Sequence, residues 1–101
     1  MSYKHNNLLA IRQSYWMDQQ SEKVQTEKQY FQDLLSSQGI FASPTLEDAK
    51  YVFFSLPSII IVKGYALGFM SQVVQELIIG FIHANKADLA ARKTLKIQYH
   101  L

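Results

Sequence analysis

Three histidines, His5, His83 and His100, are the side chains best suited to proton transfer near neutral pH or to metal ligation. They are far apart in sequence, and no His-Glu-x-x-His pair, glycine-rich phosphate loop or nucleophile elbow accompanies them. Glu76 and His83 make the best acid and base pair. Seven residues apart, they fall on roughly one side of a helix but two turns distant, too far to touch unaided. A hydrogen-bonded or solvent-facing histidine is the simpler explanation of such a pair. Cysteine is absent, which excludes disulfides, thiolate metal sites and a cysteine nucleophile. The expectation is therefore no catalytic residue, no metal and no cofactor, in a chain that is not an enzyme.

Chemistry of contact is better represented than chemistry of reaction. Tyr15, Trp16 and Met17 are consecutive, so on a helix they cannot all face one core, and tryptophan and tyrosine are enriched at interface centres. These three residues are the expected partner-binding surface, against the plainer alternative of a tryptophan closing the edge of the fold. The charge is uneven: residues 1–50 carry five basic and six acidic groups, residues 51–101 five basic and two acidic. Lys86, Arg92, Lys93 and Lys96 produce the excess, and they define a nucleic-acid patch as the alternative function. Four cations and a net charge of +2 are few for a nucleic-acid binder, so a solvated face near a helix C-terminus is the expectation. Tyr51, Phe53, Phe54, Tyr65 and Phe69 could line a pocket for an apolar small molecule, although aromatics so placed are more often plain core.

Val52 to Met70 is nineteen residues with a single charge, and it contains Gly64-Tyr65-Ala66-Leu67-Gly68, the small-residue spacing of membrane helices. Pro57, two serines and Lys63 oppose a span, since lysine at mid-membrane costs about 2.5–3.5 kcal/mol. Two buried elements with a glycine-marked bend are expected instead. The N-terminal residues show no apolar run or small-residue cleavage site, and the expected compartment is the cytoplasm. Eight lysines against two arginines, with abundant Ile, Phe and Tyr, match A/T-rich codons and hint at a bacterial or mobile-element gene.

The elements that would carry these residues are mostly helical. From Asn7 to about Ser36 the apolar spacing predicts one long helix or two in tandem, with Ser21 able to cap the second. Unbroken, about 28 residues would reach roughly 42 Å and overhang the core. Gly39 closes this region, and Ser43 with Pro44 is expected to start a helix that stops before Pro57. Ser71 to about Ala84 is the expected core helix, with Val73, Val74, Leu77, Ile78, Phe81 and Ile82 on one wide face. A further helix follows from Lys86. The fold expected is mainly α: one domain, 1–101, as a compact bundle of four to five helices with a long N-terminal helix. The alternative is α+β, with a two-stranded ribbon from 58–63 and 95–101.

Charged residues make up only 18%, against roughly 25% in typical soluble domains, so some apolar surface is expected to meet a partner. The function expected is a small accessory or regulatory protein that binds another protein and self-associates, as a dimer built partly from the N-terminal helix. Within the core helix, Ile78→Asp should abolish folding, because an unpaired buried carboxylate costs several kcal/mol in a domain whose whole stability is about 5–15 kcal/mol. Native circular dichroism and an unchanged melting temperature in that variant would refute the core assignment.

Overall fold

The computed structural model describes residues 5–91, in which the chain forms α1 (His5–Met17), α2 (Glu22–Ser37), α3 (Leu46–Ser55), α4 (Ser58–Leu67) and α5 (Gln72–Ala84). A sixth helical stretch, α6, occupies 86–91, and no strand occurs among the described residues. The mainly α reading holds, and the N-terminal region resolves into two helices rather than one. Asp18 makes the break: its Oδ1 accepts the backbone N–H groups of Gln20 (2.8 Å) and Ser21 (3.0 Å), which replaces helical bonding with a turn. Ser21 then caps α2 by accepting from the Val24 N–H. The longest extent of the fold is 37 Å, shorter than the unbroken helix would have been.

Each later boundary has a local cause. Gly39, at φ +70°, closes α2, and the Ile40 N–H reaches back to the Leu35 carbonyl at 3.1 Å while its side chain is buried. The cap of α3 is Thr45, not Ser43: the Thr45 hydroxyl accepts from the Asp48 N–H, and the Asp48 carboxylate accepts from the Thr45 N–H. Pro44 thus precedes the cap, and its carbonyl accepts from Gln32 Nε2. Pro57 turns the chain by 111° between α3 and α4.

The strand alternative fails at 58–63, which is the first half of α4. The Pro57 carbonyl accepts both the Ile60 and Ile61 N–H groups, and Ile60, Ile61 and Gly64 face inward at helical spacing. The other proposed strand, 95–101, lies outside the described residues.

α2 packs along α3, α1 lies across both, and α4 pairs with α5. An aromatic cluster fills the centre: Phe53 meets Phe31 edge-on at 5.5 Å, Phe69 at 5.4 Å and Trp16 at 5.2 Å. α5 contributes Val74, Ile78 and Ile82, all fully buried. Its buried face is narrower than expected, since Val73 is 55% and Leu77 37% exposed.

Gly64 and Gly68 have an intramolecular purpose. Gly68, at φ +97°, ends α4 and folds the chain back so that the Phe69 ring lies against Gly64, where an added Cβ would stand 2.1 Å from the ring. Phe69 is 2% exposed and its ring packs against Tyr15, Phe31 and Phe53. Gly64→Ala should therefore cost about 1–3 kcal/mol through overpacking. Thermal unfolding checks this at about 4–8 °C of lost melting temperature per kcal/mol, and an unchanged midpoint would count against the packing described.

Candidate interaction surface

The structure separates Tyr15, Trp16 and Met17 into three environments. Met17 is 68% exposed, Tyr15 is half-buried and Trp16 is only 6% exposed, seated against Phe31 and Phe53. Trp16 is core, which corrects its assignment to a contact surface. The reason lies in the break at Asp18. With α1 ending at Met17, α2 turns back over it, and Lys28 lays its ammonium over the indole at 5.4 Å while donating to the Asp18 carbonyl at 2.9 Å. Burial lowers the Lys28 pKa and the nearby Asp18 charge opposes that shift. The reach that would have carried the N-terminal helix past its own core is absent.

Next to this corner sits a buried carboxylate. Glu27, 3% exposed, accepts the Tyr15 hydroxyl on Oε1 and the Phe69 backbone N–H on Oε2, the latter at 2.9 Å. It thereby joins α1, α2 and the turn between α4 and α5. Burial, and after it the bond to Glu27, raises the Tyr15 pKa far above the usual phenol value, so the hydroxyl remains a donor. Two clefts open beside this group. One of about 520 Å³ lies between α2 and the α4–α5 turn, and one of about 220 Å³ lies between α1, α2 and α4.

Glu76 and His83 are both exposed on α5 and take different partners. Gln72 Nε2 donates to Glu76 at 3.5 Å, and His83 Nε2 meets Gln38 Oε1 at 2.5 Å. Among the described residues no cluster of three or more His, Asp or Glu side chains is placed to hold a metal. Lys86 is exposed, whereas Arg92, Lys93 and Lys96 lie outside the described residues.

The largest departure from an ordinary surface is apolar. Among the described residues, seven of the ten large hydrophobic side chains left exposed are Ile59, Val62, Tyr65, Leu67, Met70, Val73 and Leu77. They concentrate on α4, the following turn and the first half of α5. Beside them, an apolar groove of about 360 Å³ runs between α1 and α4, lined by Leu8, Ile11, Ile61, Val62, Tyr65 and Ala66. No described helix is long and apolar enough to cross a membrane, and the 19-residue apolar stretch is divided by the 111° bend at Pro57.

Sequence reading missed both Glu27 and this face. A signal for Glu27 was present: Val24, Phe31, Leu34 and Leu35 define the inward stripe of α2, and Glu27 with Lys28 occupies the gap within it. For α4, four consecutive β-branched residues conceal which ones face out. Comparison with protein-family models, curated proteins and solved structures finds no match.

Tyr15→Phe removes one of the two donors to the buried Glu27 carboxylate, at a cost of about 1–3 kcal/mol. Glu27→Gln, which keeps an acceptor for the Phe69 N–H, should cost less. Urea denaturation of the two variants tests this ordering; equal stability of Tyr15→Phe and wild type would remove the hydroxyl from the account.

Proposed function

We propose that this chain is a small cytoplasmic accessory protein that acts by binding protein, not by catalysis. The observation that supports the reading is the run of exposed apolar side chains from Ile59 to Leu77. Leaving such residues in water forgoes roughly 25 cal/mol for each Å² of apolar surface, and exposed apolar side chains concentrated in one part of a fold are the usual mark of a binding surface. A partner helix or a second subunit recovers that energy. A second reading, as a carrier of an apolar small molecule, draws on the α1–α4 groove, whose 360 Å³ falls in the range of ligand sites. Native mass spectrometry of freshly purified protein tests it by the presence of a co-purifying ligand.

Cross-linking capture from the native host, comparing wild type with a Val62→Glu, Val73→Glu variant, tests the favoured reading. Both positions are exposed, so the variant should fold with stability within about 0.5 kcal/mol per site of wild type. Its partners should fall at least about tenfold in recovery, equivalent to about 1.4 kcal/mol of binding. Identical partners at identical yield would defeat the proposal.

A further inference from the structure

Resting on the protein-binding reading, we infer that α5 is a self-association element: two copies of this chain pair α5 against α5, antiparallel, about a twofold axis between Leu77 and Gly80. Val73, Leu77, Gly80 and Ala84 follow one another at intervals of four, three and four residues. This is the 3.5-residue period of a seam that faces another helix. All four are exposed, and the seam lies off the buried line of Val74, Ile78 and Ile82, which already faces the core. Gly80 sits mid-helix, and among the described residues nothing lies within 4 Å of the place its Cβ would occupy. Packing among the described residues therefore gives no reason for glycine there, whereas a second helix crossing at Gly80 gains close backbone approach.

The residues beside the seam identify the occupant as a second copy. An antiparallel pairing sets Leu77 opposite Gly80 and Val73 opposite Ala84, so each layer matches a large side chain with a small one. The same symmetry brings Glu76 of one copy beside His83 of the other, and does so twice. His83 Nε2 is engaged with the Gln38 Oε1 acceptor, so a bond from Nδ1 to the second copy's Glu76 carboxylate is one the imidazolium form makes, with an N–H on each ring nitrogen. A parallel pairing would instead stack Leu77 on Leu77 and Gly80 on Gly80. The seam spans about 16 Å, and a single helix pair buries less than the roughly 800 Å² per partner of a standard interface, so the association is to be read over a wide range of concentration.

Sedimentation equilibrium of the full chain from about 1 to 500 µM reads the association. The wild-type mass should rise from 11.6 kDa toward twice that value. Leu77→Glu and Gly80→Leu should each raise the dissociation constant at least about tenfold. Both should keep the wild-type circular dichroism, and Gly80→Leu should unfold at a higher temperature as a monomer, because leucine is the better helix former. Since the chain has no cysteine, orientation can be read by oxidation. A mixture of Val73→Cys and Ala84→Cys chains should form the mixed disulfide, and Val73→Cys alone should form none. A wild-type mass fixed at 11.6 kDa, or a Val73→Cys homodisulfide forming faster than the mixed one, would overturn the inference. A monomeric wild type whose captured host partner is lost on Leu77→Glu would assign α5 to a different protein, overturning the second copy while sparing the protein-binding reading. A monomer whose captured partners are indifferent both to Leu77→Glu and to the Val62→Glu, Val73→Glu pair would end both.

Discussion

Glu27 places a carboxylate on the inward face of α2, where it meets α1 and the turn between α4 and α5. Its oxygens receive a phenolic O–H and a backbone N–H, both neutral donors whose direction is fixed by the elements that carry them. Burying a carboxylate costs several kcal/mol unless such bonds are made together. Tyr15 can donate only if α1 ends near Met17 and folds back, and Phe69 only if Gly68 adopts its positive φ. The Tyr15 ring, stacked on Phe53 at 5.1 Å, brings α3 into the same arrangement. One charged group thus makes the positions of the helices mutually dependent.

The break at Asp18 is the second condition. A continuous N-terminal helix would have placed Trp16 on an overhang; the turn instead folds it beneath Lys28, which satisfies the Asp18 carbonyl and covers the indole. Asp18 itself is held ionised by the Ser21 and Gln20 N–H groups, which lower its pKa. Because the folded value lies below the unfolded one, this contribution is present above about pH 4 and is lost as pH falls through the folded pKa. The same corner converts an apparently membrane-like composition into a globular core, since the aromatics of α3 and the Phe69 turn converge on Trp16 and Phe31.

The sequence made the fold class and most boundaries legible because those depend on local chemistry. Ser21, Gly39, Pro57 and Ser71 act within a turn of themselves, and each ends or starts a helix as read. Thr45 outcompeted Ser43 because only Thr45 has Asp48 three residues ahead to complete the reciprocal cap. The helix at Ser58–Val62 was not legible, since a β-branched run has no period and its conformation is decided by Pro57 and by α5. The surface was least legible of all. Val73 and Leu77 belong to the same apolar face as Val74 and Ile78 on a helical wheel, and only the tertiary placement of elements such as α4 decides which half is covered.

The glycines show how far the chain's own packing accounts for its sequence. Gly39 and Gly68 adopt positive φ, and Gly64 receives the Phe69 ring, so each has a conformational or steric reason inside the fold. Among the described residues Gly80 has neither, although glycine in a helix interior costs about 1 kcal/mol relative to alanine. That cost falls on the helix that also supplies Val74, Ile78 and Ile82 to the core, and beside Val73 and Leu77, which already forgo burial. In a domain of only about 5–15 kcal/mol stability, unburied apolar area and a weakened helix in one place form a local deficit. A close contact from outside the chain, as inferred for α5, would offset both terms at once, because the absence of a side chain at Gly80 would let another backbone approach far enough to cover its neighbours.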